Sequence, residues 1–421
     1  MFGGQEMRKI VVIGAGPAGM MAAITAASKG SSVTIVEKKG RVGRKLSITG
    51  KGRCNLTSAV DKDGLIRGFP GNGRFLYSSF NEFSNLDLIE FFAQRGLKTK
   101  VERGNRVFPE SDKAEDVVGV LYRTMQESGV RILADCEVKK VVVAEGRVTG
   151  VDSQQGRLSA DAVIIATGGK SYPGTGSTGD GYLWAAAAGH SVIEPRPGLV
   201  PLLAREEWVK ELQGLSLKNT RAISYDAEGK KINEDCGELL FTHFGLSGPI
   251  ILSMSRDIAE YLYVKKKPVR IELDLKPALS EDKLDERLQR DLAKYSRKIF
   301  KNALDDLLPG KMIAVVVRLS GIDADKACHQ INRSERLGLV HLLKHLTLTI
   351  YDTRPIAEAI VTAGGVNVKE VDPRTMQSKL VQGLYFAGEV LDVDGYTGGY
   401  NLQASFSTGY VAGKWAAVQA R

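Results

Sequence analysis

A chain of 421 residues, 43% of them hydrophobic, is too long for one ordinary core and is expected to divide into two or three units. Lys and Arg outnumber Asp and Glu by 58 to 49, a net charge of +9, which raises the expectation of a polyanionic partner without establishing one. No apolar run approaches the roughly 18 residues of a membrane span, and Cys54, Cys136, Cys236 and Cys328 lie too far apart for a C-x-x-C pair, which excludes a disulfide redox pair and most zinc templates.

The segment from Lys9 to Gly19, KIVVIGAGPAG, reads as a buried strand, a glycine turn and the start of a helix. A second strand, SVTIV, follows and ends in Glu37. That context turns G-x-G-x-x-G into a dinucleotide site. Gly14 permits the tight turn, Gly16 lets a pyrophosphate approach the backbone, and Gly19 lets helix and strand pack closely. The helix opening at Pro17 and Ala18 offers its free N–H groups to phosphate, and Glu37 is placed to accept from ribose hydroxyls. Lys38, Lys39, Arg41, Arg44, Lys45, Lys51 and Arg53 then crowd one loop with no acid among them. Arg44 and Lys45 are expected to neutralise the pyrophosphate, with Lys38 and Arg53 beside it.

A variable stretch over 60–85 precedes a predicted helix over 112–127, for which Ser111 is the expected cap. Strands are predicted over 130–133, 137–143, 147–151 and 161–166. The last leads into Thr167-Gly168-Gly169. The proline-rich run 194–201 breaks the α/β rhythm and marks the first boundary. The reading divides the chain into residues 1–194, an insert over 195–355, and residues 356–421. Within the insert, alternating runs at 220–226 and 269–275 suggest strands of a small barrel or sandwich. A charged helix over 281–301 and further helices toward His345 follow. Lys265-Lys266-Lys267 forms a second basic cluster there.

Near the C-terminus, GLYFAGE (383–389) is a short apolar strand ending in Gly388 and Glu389, and GGYNLQ (398–403) opens a terminal helix at Gly399, Tyr400, Asn401 and Leu402. In flavoproteins with two dinucleotide folds this pattern supports the far half of the cofactor. Val138 falls where that class offers backbone to adenine. Together with the A-T-G strand at 166–168, these segments favour FAD over NAD as resident cofactor.

GRKLSITGKGRCNLT (43–57), THFGLSGP (242–249) and GEVLDVDGYTGGYN (388–401) resemble the BaiN/RdsA-type (YhiN-like) family of NAD(P)/FAD-dependent oxidoreductases, nearly end to end. The resemblance implies an α/β FAD domain of the two-dinucleotide-fold, glutathione-reductase type, interrupted by one β-barrel-like and helical insert. One departure is Glu389, where the wider flavoprotein pattern has Asp. The resemblance also implies two substrate types, a uracil ring of ribosomal RNA reduced to dihydrouridine and an unsaturated steroid or bile-acid-like compound; the basic clusters lean toward RNA. No second glycine fingerprint follows a strand, so NAD(P)H is expected to visit the flavin transiently.

For catalysis, a flavin supplies the redox chemistry and the protein need add at most a proton donor. Cys54 is the sharpest candidate, since Arg53 and the nearby lysines would favour its thiolate; the alternative is a small apolar residue packed beside the flavin. His243, Tyr396 and Tyr400 follow. Alternatives to the NAD(P)H-driven reductase are a flavin-stabilised RNA-binding or assembly factor without redox turnover, and a C1-transfer or tRNA-modifying flavoprotein. The expected location is the cytoplasm, with no membrane and no metal as partner, and the sequence leaves the oligomeric state open.

Overall fold

The structure, a computed structural model, describes residues 7–418. Its central sheet has five parallel strands, β1 (Lys9–Ile13), β2 (Ser32–Val36), β3 (Arg131–Leu133), β4 (Ala162–Ile165) and β5 (Leu384–Phe386). They lie in the order β5-β4-β1-β2-β3. β1 and β4 are buried almost throughout, as a parallel sheet covered on both faces requires. That is why their sequences run apolar instead of alternating.

Helix α1 (Pro17–Ser28) links β1 to β2, α2 (Arg44–Gly52) follows, and α3 (Tyr400–Ala417) ends the described chain. α1 is rich in Ala and Gly, and α3 carries Gly409 and Gly413, which let the two backbones touch. A Cβ at Gly409 would lie 2.3 Å from the Ala18 carbonyl oxygen, and one at Gly413 would lie 2.3 Å from that of Ala22. Equal four-residue steps in the same sense make the two helices parallel. α2 leaves helical geometry over Thr49, Gly50 and Lys51.

Packing divides the chain into one unit of the residues up to Pro197 with those from Ile356 onward, and a second of Gly198–Pro355. The second unit has its own core around a closed antiparallel barrel of six strands. In barrel order these are Leu202–Ala204, Gly245–Ser247, Lys231–Phe241, Ser216–Tyr225, Val269–Asp274 and Leu346–Thr353. Helices Pro249–Lys265, Glu281–Lys294, Gly310–Ser320 and Arg333–Lys344 complete it.

One local expectation changes, the start of a helix. The predicted 112–127 helix begins only at Ala114, and Ser111 does not cap it: Lys113 holds the cap position without a side-chain bond. Asp112 instead takes φ +56° and gives its carboxylate to Arg53 and Lys100. The variable 60–85 stretch holds the short helices Lys62–Arg67 and Tyr77–Glu82. The proline run lies in a strand, Val192–Gly198, paired with Val361–Val366; a two-stranded sheet leaves each strand an edge where a missing N–H costs no ladder bond.

Candidate dinucleotide site

The turn after β1 is built by exclusion of side chains. Gly14 has φ +98°, and a Cβ there would lie 2.6 Å from the Ala166 carbonyl oxygen on the neighbouring strand end. A Cβ at Gly19 would lie 1.9 Å from the Gly14 carbonyl oxygen, so the helix can close on the turn only with glycine there. Gly16 differs: a Cβ at this position meets nothing within 4 Å. The turn is therefore tight where it packs and open where a phosphate would approach the N-terminus of α1.

Glu37 extends from β2 across this turn, its carboxylate accepting the Ala15 N–H at 2.9 Å and the Lys39 N–H at 2.9 Å. Two of a carboxylate's roughly four acceptor positions remain for a ligand hydroxyl. The Cys136 N–H reaches the Glu37 carbonyl at 3.0 Å, which brings the segment leading into buried Val138 beside Glu37. Gly43 donates to the Ala15 carbonyl at 2.8 Å, setting the first turn of α2 against the same loop. There Arg44 is exposed.

On the other side, Gly388 (φ +76°) would place a Cβ 2.8 Å from the Ala18 Cβ, and its N–H donates to Thr408 Oγ1 at 2.9 Å. Gly399, with φ +96°, caps α3 so close to Thr57 that a Cβ would lie 2.4 Å from its carbonyl. The α1–α3 register fixes how far apart the two helix starts lie. Nine residues of α3 precede Gly409 and one of α1 precedes Ala18, so at about 1.5 Å per residue α3 begins roughly 12 Å beyond α1 in the same direction. Two helix N-termini, both admitted by glycine, thus face one way at staggered depths.

Residues that sequence reasoning passed over hold the far end. Asn55, in the amide orientation that satisfies both its ends, accepts the Gly399 N–H at 3.0 Å and donates to the Thr57 and Val107 carbonyls at 3.1 and 3.2 Å. Asn72 donates to the Asp392 carbonyl and carboxylate at 2.8 and 2.9 Å. The Tyr396 N–H reaches the Gly68 carbonyl at 2.9 Å, and the Tyr400 ring covers Gly68 so closely that a Cβ there would lie 2.3 Å from it. A glycine at 68 with asparagines at 55 and 72 was the available signal. Asn401 spends its side chain on the Gly395 N–H and carbonyl, each at 2.8 Å, while Leu402 is half-buried.

Several expected site residues turn inward. Lys45 does not present its charge to a phosphate: its ammonium lies 2.8 Å from Glu389 Oε2 and 2.6 Å from Ser171 Oγ. Glu389 also accepts from Ser171 Oγ at 3.0 Å and from the Thr362 N–H at 2.8 Å, so most of its acceptor capacity is spent inside the fold. Its neighbours there include Gly169, where a Cβ would sit 3.2 Å from Glu389 Oε1 and clash with Thr362; at Gly168 (φ +72°) a Cβ would press on Ser177. Thr167 Oγ1 packs against Gly181, buried and without a hydrogen-bond partner. Lys38 is held by Asp180 and Thr178.

The expectation for Arg53 and Cys54 needs correction. The Arg53 guanidinium pairs with Glu102 at 2.5 Å and with Asp112 at 2.6 Å and lies 4.1 Å over the Phe108 ring. It is already neutralised by the fold. Cys54 is fully buried at φ +59°, and burial pushes its thiol up to about 12, the opposite of an activated nucleophile. His243 lies exposed on a turn of the second unit, edge-on to Phe244 with ring centroids 4.9 Å apart.

Over residues 8–415 the chain matches the family described as HI0933-like protein Rossmann domain. The protein belongs to this family. It is 35% identical over 415 residues to a 3-dehydro-bile acid delta(4,6)-reductase of Clostridium scindens, covering 98% of this chain and 99% of that one. It is 32% identical to a ribosomal RNA dihydrouridine synthase of Haemophilus influenzae, covering 95% and 96%. The corresponding Escherichia coli protein is 31% identical, with 97% and 96% covered. Among solved structures, a 3-ketosteroid delta1-dehydrogenase from Sterolibacterium denitrificans superposes with a TM-score of 0.53 at 13% identity, covering 98% of this chain and 100% of that one. That likeness is one of fold. The protein is thus a member of an oxidoreductase family with a Rossmann-type flavoprotein fold, and no helix among the described residues is long and apolar enough to cross a membrane.

Proposed function

We propose that the protein binds FAD and uses NAD(P)H to reduce a carbon–carbon double bond conjugated to a carbonyl, with uridine of ribosomal RNA as the favoured substrate. One observation carries the cofactor assignment: the starts of α1 and α3 face one way, offset by about 12 Å along the helix axes, with Gly16, whose Cβ would meet nothing within 4 Å, before α1 and Gly399, where a Cβ would lie 2.4 Å from the Thr57 carbonyl, before α3. Gly16, Ala18 and Gly19 would hold the pyrophosphate through backbone N–H groups, with Gly14 making the turn and Pro17, which has no N–H, starting the helix, and Glu37 with the backbone near Val138 would hold the adenosine half. Gly388 and Gly399 would admit the flavin half, and the N–H groups of Tyr400, Asn401 and Leu402 would serve it, beside Thr167, Gly168 and Gly169. FAD, when bound, supplies hydride transfer.

The bile-acid reductase and the dihydrouridine synthases are named for saturating a double bond conjugated to a carbonyl, which supports the reaction class. The net charge of +9 and the two RNA-modifying relatives support RNA. A steroid-like substrate is the second reading, favoured by how the fold uses its basic loop: Lys38, Arg41, Lys45 and Arg53 are each paired with an acid of the same chain. Lys39, Arg44 and Lys51 remain without such a partner among the described residues.

Dihydrouridine mapping in ribosomal RNA from a deletion strain and a complemented one tests the RNA reading; one site should vanish and return. Anaerobic mixing of NAD(P)H-reduced protein with 3-oxo-4,6-diene bile acid tests the other. An unchanged dihydrouridine map together with rapid oxidation by the steroid would reverse the preference, and a purified protein lacking flavin after reconstitution would defeat the proposal.

A further inference from the structure

We infer that the Gly198–Pro355 unit carries a divalent metal site of the zinc class, formed by Glu281, His341 and His345. The helix Glu281–Lys294 is capped by the Ser280 hydroxyl, which accepts the Lys283 N–H at 3.3 Å, so Glu281 is its first residue. The helix Arg333–Lys344 runs antiparallel beside it. Arg336 Nε meets Asp285 Oδ1 at 2.6 Å, and beyond the last turn His345 Nε2 comes 3.0 Å from Glu281 Oε1. His341 lies four residues before His345, on the same face, with ring centroids 4.6 Å apart. One ligand atom from each of the three residues lies within 4.8 Å of the other two.

The surroundings of His345 point to a cation. Its Nδ1 is 2.9 Å from Glu272 Oε1 on the strand Val269–Asp274, the outer carboxylate that fixes the tautomer of a ligating histidine. With the proton on Nδ1, a neutral ring turns the Nε2 lone pair toward a carboxylate oxygen 3.0 Å away. Something positive belongs between them. On a tetrahedral zinc, ligand bonds of about 2.0–2.2 Å separate two ligand atoms by about 3.3 Å, so this edge needs little movement and His341 needs a modest swing. Lys344 does not claim the carboxylate: its ammonium lies 2.6 Å from Asp274 Oδ2 and 2.7 Å from the Leu279 carbonyl.

Three protein ligands leave a fourth position for water, and the metal would clip the start of one helix to the end of the other, with Glu272 tying His345 to a barrel strand. Cysteine spacing, on which the sequence expectation of no metal rested, does not report on this H-x-x-x-H pair. Zinc binding here releases any proton held between His345 and Glu281.

The test titrates untagged full-length protein with zinc(II) alone, in competition with a chromophoric chelator near neutral pH. The protein should take up about one equivalent at micromolar free zinc. Glu272→Gln should weaken uptake by about 10- to 100-fold, as loss of an outer partner does, and His341→Ala by more, with flavin content unchanged in both. Equal uptake by wild type and His341→Ala, or no uptake by wild type, would overturn the inference and leave a proton as the occupant.

Discussion

Gly16→Ala should separate cofactor binding from folding. Gly16 has φ −80° and ψ −175°, extended backbone that alanine adopts freely, and the added methyl meets nothing within 4 Å. Removing glycine restricts the unfolded chain, worth about 0.4–1 kcal/mol in favour of folding, while replacing it at the helix N-cap costs a similar amount. The net change should stay within about 1 kcal/mol, or roughly 2–4 °C in Tm for units of this size. The methyl nevertheless projects into the open space beside the α1 amides, where a phosphate would approach them. Gly19→Ala makes the contrasting case: its Cβ would lie 1.9 Å from a carbonyl oxygen, an overlap that must part helix from turn and cost about 1–3 kcal/mol or more. Calorimetry on apo protein keeps ligand linkage out of the comparison, and absorbance after FAD reconstitution gives occupancy. Apo Gly16→Ala should melt close to wild type and hold less than about a tenth of its flavin. Full flavin occupancy in Gly16→Ala, or melting as early as Gly19→Ala, would refute the reasoning.

Cys54→Ala should leave turnover per bound flavin within about twofold and lower thermal stability, because a buried thiol held up at about 12 is a packing group; slowing of substrate reduction by about 10²-fold or more, the scale of a lost general acid, would restore it to catalysis. Arg53→Met should keep flavin occupancy near wild type, since Glu102 and Asp112 already take its charge; loss of most flavin in the absorbance ratio would return Arg53 to the cofactor. His190 is buried, which holds it below its usual 6.5 despite Glu370 nearby. The unfolded chain then binds the extra proton, so this contribution is complete above about pH 6.5 and is lost as pH falls below it. Melting curves from pH 8 to 5 should show that decline in wild type and a flatter profile in His190→Leu; parallel profiles would remove His190 from the account.

The fold class was legible because its signals are local. The run KIVVI with glycines behind it and an acid after the next strand admits few other structures, and β1, α1 and β2 follow from it. The barrel showed through its alternation at 220–226 and 269–275. The caps and pairings were harder. Ser111 has the composition of a helix cap, but Asp112 is drawn into a left-handed turn by Arg53 and Lys100, residues distant in sequence. Likewise the lysine at 45 and the acid at 389 each read as a ligand group, and nothing local reveals that they neutralise one another across 344 positions. Cys54 beside Arg53 suggested an activated thiol; adjacency in sequence says nothing of which side each chain takes, and here the guanidinium leaves while the sulfur is buried.

The sheet order has a consequence for synthesis. β4 ends at Ile165, and its outer neighbour β5 begins at Leu384. At about 5–20 residues per second, the ribosome needs roughly 10–45 seconds to deliver the missing strand. During that interval a fully apolar strand stands with an open edge, and α1 lacks the glycine-faced helix that covers it. The nascent chain must therefore survive on the tunnel's outer side with its nucleotide half unfinished while the barrel unit is made, a period in which a holding chaperone would have a defined strand to shield.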